Sequence, residues 1–272
     1  MQLVEYLSLI ETLPVKNYAF TIQKTNWFNK VQELEIGNIF ENKSSITLNR
    51  YDLISAAHHN TKDFILKTLM WGYPTKGRGS NIDNLLEINN FEKLVQKLDS
   101  YRGINISSKV LESDLKEISG LGLSTMSKFL YFMGAKVENQ TTLILDRKII
   151  EILRTNSFVE LKELSNLNYP ASITNYVEYL KVINNLAEIN KVENEKIEMF
   201  IFIFGKHLSP LSGEECYDDF SEYEKPKNKN YRDFIIQAIN NLTISDQNIF
   251  THTLNILKEG ELKEIDNVIR YE

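Results

Sequence analysis

Three groups of residues in the chain have types and spacings suited to chemistry. The first is Gly120-Leu121-Gly122, set between stretches with apolar residues at helical spacing: Leu115 and Ile118 before it, and Met126, Phe129, Leu130 and Met133 after it. Glycine lets the backbone turn without a Cβ penalty, and a helix that starts there leaves its first N–H groups unpartnered. Such a helix N-terminus suits an anion, and a phosphate best of all. The second group is the loop Trp71-Gly72-Tyr73-Pro74-Thr75-Lys76-Gly77-Arg78-Gly79-Ser80. Aromatic rings beside Lys76 and Arg78, with glycines between them, suit a segment that stacks on a base and approaches a phosphate. The same residues serve equally as a helix C-terminal stop, with Trp71 in the core. The third is Asp146, which follows the apolar, strand-like run Leu143-Ile144-Leu145 and opens a helix through Ile150. By itself that position reads as an N-cap.

Taken together, these features resemble the helix-hairpin-helix DNA glycosylases. That family's signature is a hairpin of the form Leu-x-x-Ile-x-Gly-Leu-Gly, matched here by Leu115, Ile118, Gly120, Leu121 and Gly122. A catalytic aspartate follows it, matched by Asp146 at slightly more than the usual spacing. The branch that looks most similar is the bacterial one with the 8-oxoguanine DNA glycosylase fold. The likeness is firm over Leu115 to Leu153 and thin elsewhere.

What the resemblance implies is a mainly α fold of two helical domains around a DNA cleft, into which the target base is flipped. The expected parts are an N-terminal segment, 1–50, packing with later helices, a helix-hairpin-helix domain, 51–155, and a C-terminal helical domain, 156–272. Asp146 would stabilise the positively charged sugar that forms as the base leaves, and would orient or deprotonate water. A helix N-terminus favours a negative charge there. Bifunctional members carry a nucleophilic lysine two residues beyond the second hairpin glycine, where this chain has Ser124. The expectation is therefore a monofunctional glycosylase that leaves an abasic site and no strand break. Lys128, one turn further on, is a phosphate contact, a displaced nucleophile or a solvated surface lysine.

The expected DNA contacts are Gly120, Gly122 and Ser124 of the hairpin, with Lys76, Arg78 and Arg147, and the expected substrate contacts are Trp71, Tyr73 and Lys128. The partner is double-stranded DNA, including phage DNA with modified bases. The expected substrate is a hypermodified phage base such as glucosylated hydroxymethylcytosine, which would make the role antiviral defence. Repair of 8-oxoguanine is the alternative. Two readings of other classes stay open: a non-catalytic hairpin protein that only grips DNA, and a protein-interaction domain with an incidental Gly-Leu-Gly turn.

Composition limits these readings. At 272 residues the chain can bury a large core, and 42% hydrophobic with 25% charged residues is ordinary for a soluble protein. A formal net charge of −6 excludes a strong non-specific DNA coater and makes any DNA grip depend on local basic patches. The single cysteine, Cys216, rules out a disulfide within the chain and an iron–sulfur cluster held by cysteines, and fits a reducing cytoplasm. His58, His59, His207 and His252 lack zinc-site spacing, so no metal or cofactor is expected. His58 and His59 cap carbonyls or face solvent, with a pocket role for one of them as the alternative. An acidic start with Glu5 and Glu11 predicts no signal peptide, and the apolar run Met199 to Phe204 is too short to span a membrane.

Several elements have to position these groups. Val4 to Leu13 predicts a helix stopped before Pro14, and Tyr18 to Ile22 with Ser45 to Leu48 predicts a small β element near the N-terminus. Trp27 and Phe28 between them read as core. From Tyr51 the pattern is helical: Tyr51 to His58, Thr61 to Trp71, Asn81 to Ile88, Phe91 to Tyr101, the hairpin unit, and Phe158 to Leu164. Pro170 reads as the first turn of a helix running to Ile189, and Glu193 to Leu208 as a buried central helix. A polar loop with Lys225, Lys227 and Lys229 follows, then three terminal helices from Tyr231 to Tyr271.

Overall fold

Local chemistry sets most element boundaries. In the computed structural model, which describes residues 1–27, 39–76 and 80–208, a 3-10 turn (Leu3–Tyr6) runs into α1 (Leu7–Thr12), and Pro14 follows its end. β1 (Ala19–Gln23) and β2 (Ser45–Asn49) pair antiparallel, with Ile22 opposite Ile46 and the hydroxyls of Thr21 and Thr47 bonded at 3.0 Å. Asn49 then caps α2 (Arg50–Ala57) in a reciprocal capping box with Asp52. Asn60 caps α3 (Thr61–Gly72). The short α4 (Asn81–Leu85) and the amphipathic α5 (Ile88–Ser100) lead to α6 (Ser108–Glu117) and α7 (Leu123–Phe132). After them come α8 (Arg147–Arg154), α9 (Ile173–Asn190) and α10 (Asn194–Leu208).

The described part of the chain is thus mainly helical with a small two-stranded sheet near its start, as the sequence predicts. A second, smaller sheet joins β3 (Asn105–Ile106), β4 (Lys136–Val137) and β5 (Gln140–Thr141). β4 and β5 turn through Glu138 and Asn139, both at positive φ (48° and 64°), as a two-residue hairpin loop requires.

α7 is the central element. Every residue in it except Ser124 is buried, the polar Thr125, Ser127 and Lys128 included, so the helix is enclosed by the core. α3, α2 and α10 surround the same core, which is one continuous cluster from Leu3 to Phe204. Trp27 is fully buried in it, as expected. At its heart Arg50 and Glu198 form a bidentate pair at 2.9 and 3.0 Å, both about 1% exposed. Burial pushes the Glu198 carboxyl up, opposed by Arg50, while Asp146 and Glu195 add to the rise.

The short helical stretch read at Phe158 to Leu164 is the 3-10 helix Val159–Asn166. Two expectations need correcting. Pro170 is not in a first helical turn: its bond to Tyr169 is cis, and α9 starts only after Ser172, whose side chain accepts the Asn175 N–H. The run before Asp146 is extended but belongs to no strand. Phe28, Arg78, the lysine-rich loop, Cys216 and the three terminal helices lie outside the described residues.

Candidate active site

α6 and α7 form the hairpin, and its two glycines differ physically. Gly120 sits at φ +84°, and a Cβ there would meet the Asn81 carbonyl oxygen at 2.2 Å. Conformation and the close approach of α4 both demand glycine. Gly122 has an ordinary φ of −96°, open space around it, and serves as the N-cap of α7. Its carbonyl accepts from Thr125 and Met126, while the Leu123 and Ser124 amides precede the first intrahelical bond. Among the described residues no side chain caps this end, so the turn can offer its first N–H groups to an anion.

Asp146 caps α8, with Oδ1 accepting the Ile149 N–H at 3.0 Å. Its Oδ2 has no donor among the described residues, and the side chain is half-buried. The preceding Leu143, Ile144 and Leu145 are buried without a strand partner, so side chains satisfy their backbone. Tyr176 OH donates to the Leu143 carbonyl at 2.9 Å, and Tyr179 OH to the Ile144 carbonyl at 3.1 Å. The Leu145 N–H donates to Ser127 Oγ at 3.1 Å, and that hydroxyl donates to the Ser124 carbonyl at 3.0 Å.

Lys128 is 6% exposed, which removes the solvated-surface reading. Its Nζ donates to the Ser124 carbonyl at 3.1 Å and Ser124 Oγ at 3.2 Å, and lies 5.9 Å from the centre of the Tyr73 ring. None of its acceptors among the described residues is a carboxylate. Gly72 makes room for it: a Cβ there would stand 3.1 Å from Lys128 Cδ. The Tyr73 and Thr125 hydroxyls share a 2.8 Å bond, which anchors the loop after α3 to the first turn of α7.

Trp71 goes elsewhere. It is 4% exposed, its Nε1 donates to the Tyr18 carbonyl, and its ring meets Phe20 and Phe132 edge-on. Arg50 lies 5.6 Å from the ring centre, so Trp71 is core and presents no face to a base. Lys76 is tied to Asp83 at 2.9 Å, on the α4 helix that abuts Gly120. Arg147 is exposed, pairs with Glu151 at 2.7 Å, and holds its guanidinium 5.8 Å from the Tyr169 ring.

Sequence reasoning missed Tyr169, which is half exposed on the surface. Burial pushes its phenol up, Tyr73 next, with Arg147 opposing and Asp146 reinforcing. Those groups therefore share one electrostatic neighbourhood, and Lys128 and Ser124 join it through Tyr73. The signal available was its place in Asn168-Tyr169-Pro170, a break in a helical stretch. His58 instead lines a cavity of about 430 Å³ with Tyr131, Met133, Thr142 and Glu195, at the opposite end of α7 from Gly122. Among the described residues no group of His, Cys, Asp and Glu could hold a metal ion, and no helix is long and apolar enough to cross a membrane.

A helix start after a Gly-Leu-Gly turn, linked through Ser127 to the segment that ends in an N-capping aspartate, within a mainly helical core, is consistent with the helix-hairpin-helix DNA glycosylase fold that the following match shows. Residues 13–202 match the family described as "Putative 8-oxoguanine DNA glycosylase OGG-like protein", and the chain belongs to that family. No curated protein and no solved structure matches it.

Proposed function

We propose that the chain is a monofunctional DNA glycosylase that hydrolyses the N-glycosidic bond of a flipped, modified base and leaves an abasic site. The observation that carries this is Asp146: one carboxylate oxygen is fixed by its own helix, and the other has no protein donor among the described residues. An oriented carboxylate of this kind can face the developing positive charge at C1′ and hold the attacking water. The amides at the start of α7 would grip a backbone phosphate. Tyr73 and Lys128 would border the base, with Tyr169 and Arg147 on the outer side and Lys76 reaching a phosphate by exchanging its Asp83 partner.

Ser124 occupies the position of the family's lyase lysine, which supports hydrolysis without strand cleavage. One observation favours a second reading. The Lys128 amine reaches Ser124 Oγ, so it stands where a displaced nucleophile would. Borohydride trapping decides: the monofunctional account expects no covalent protein–DNA product, and a trapped product lost in Lys128→Ala would replace it with a lyase.

For the substrate we favour a hypermodified phage base such as glucosylated hydroxymethylcytosine, because an acidic chain without the lyase lysine suits defence at least as well as housekeeping repair. The family description favours 8-oxoguanine, which stands as the second reading. Asp146→Asn separates catalysis from mere binding. A glycosylase should lose turnover and keep its DNA affinity, whereas a non-catalytic binder would be unchanged.

A further inference from the structure

We infer that Tyr176, Tyr179 and Ser127 are positioning residues that hold the Asp146 carboxylate in place for catalysis. The inference rests on the proposed role of Asp146. Three consecutive residues lead into that aspartate, and each is held by a buried hydroxyl, two from α9 and one from α7. Leu143 and Ile144 offer carbonyls to Tyr176 and Tyr179, which stand one helical turn apart on α9, and the Leu145 N–H goes to Ser127 on α7. All three hydroxyl-bearing residues are fully buried.

Apolar packing alone does not call for this arrangement. Phenylalanine at 176 and 179 would fill the same volume, and burying a phenol has a desolvation cost that pushes both tyrosines up. What the hydroxyls add is register. With the Asp146 Oδ1 held by Ile149, the segment can neither slide nor rotate without breaking a buried hydrogen bond. Ser127 adds a link to the hairpin. The hydroxyl that accepts from Leu145 donates to the Ser124 carbonyl, in the turn of α7 proposed to grip phosphate. Backbone grip and carboxylate are thus joined through one side chain, and a misplacement of about 1 Å at such a point can cost a hundredfold in rate.

The test uses the full chain with Tyr176→Phe, Tyr179→Phe, Ser127→Ala and Asp146→Asn. Single-turnover rates are measured on duplexes carrying glucosylated hydroxymethylcytosine or 8-oxoguanine, normalised to folded protein by near-ultraviolet circular dichroism. Affinity is measured on a duplex carrying a tetrahydrofuran abasic-site analogue. Tyr179→Phe and Ser127→Ala should each slow base release about tenfold or more, with affinity within about twofold of the parent. A merely structural role would lower the folded fraction and leave the normalised rate alone. Rates within about twofold of the parent in all three hydroxyl variants, beside an inactive Asp146→Asn, overturn the inference alone, as does a loss of rate matched by a loss of affinity. Wild-type protein that releases neither base, or an Asp146→Asn that keeps the parent rate, defeats the reading of Asp146 itself and this inference with it.

Discussion

Gly120 and Gly122 look alike in the sequence and differ in what they do. Gly120 is required by its positive φ and by the Asn81 carbonyl, so Gly120→Ala should destabilise the protein by about 2 kcal/mol or more in urea titration. A loss below about half a kilocalorie per mole would show that α4 yields easily. Gly122 is unconstrained, and an N-cap aspartate there would satisfy the bare start of α7. Gly122→Asp should therefore keep or raise the melting temperature while weakening DNA binding at least tenfold, because its carboxylate takes the place proposed for phosphate. Equal affinity in that variant would remove the hairpin from the DNA interface. The sequence shows both glycines and Asp146 plainly, since turn and cap chemistry is local. It does not show that Trp71 is core and Lys128 buried beside Tyr73, because the two stand on α3 and α7, well apart in the chain, and only packing decides which of them borders the candidate site.

Secondary-structure elements were legible where a local rule decides them. The helices read from Tyr51 and Thr61 and the two short β runs near the N-terminus match α2, α3 and the first sheet closely, whereas the start of α9, read at Pro170, is set by the cap Ser172. Leu143 to Leu145 reads as a strand because strand and buried extended segment share one apolar pattern. Its partners are hydroxyls about 30 residues away in the chain, and the only hint is two tyrosines one turn apart in an apolar helix. Glu138 offers a pH test at this scale. It accepts the Ser108 N–H at 2.6 Å, and that bond, with the Ser108 side chain, holds its carboxyl below the usual range despite some desolvation, Lys181 assisting. A depressed folded-state pKa contributes stability that is present above the ordinary carboxylate range and lost as pH falls through the folded value. Amides at the start of α6 should lose hydrogen-exchange protection as pH falls below the ordinary carboxylate range in the parent, while Glu138→Gln shows no such step. Matching profiles would mean the bond contributes nothing.

At the scale of the whole molecule, the Arg50–Glu198 pair joins α2 to α10 across the core. Glu198→Ala leaves a buried, unpaired guanidinium and should cost about 3–5 kcal/mol, whereas replacing both partners by methionine should cost much less. Equal losses in the two variants would mean that packing, and not the stranded charge, sets the penalty. Nothing local in the sequence marks this pair, since its partners are 148 residues apart. Net charge acts at the same scale. With −6 overall, and Lys76, Lys128 and Arg147 the cations placed at the candidate site among the described residues, few phosphates should be neutralised. The logarithm of DNA affinity should then fall with the logarithm of salt at a slope of magnitude below about 4.

Asp146 is proposed to drive cleavage of a glycosidic bond in DNA. The most direct test of that claim incubates the parent protein and Asp146→Asn with three duplexes, unmodified, containing 8-oxoguanine, and containing glucosylated hydroxymethylcytosine, and scores abasic sites with an aldehyde-reactive probe. The account predicts abasic sites in the glucosylated duplex, none in the unmodified one, and loss of those sites in the variant. Sites at 8-oxoguanine alone would keep the chemistry and change the substrate. Salt-sensitive binding with no abasic site on any duplex would contradict the claim and leave a hairpin protein that holds DNA without cutting the bond.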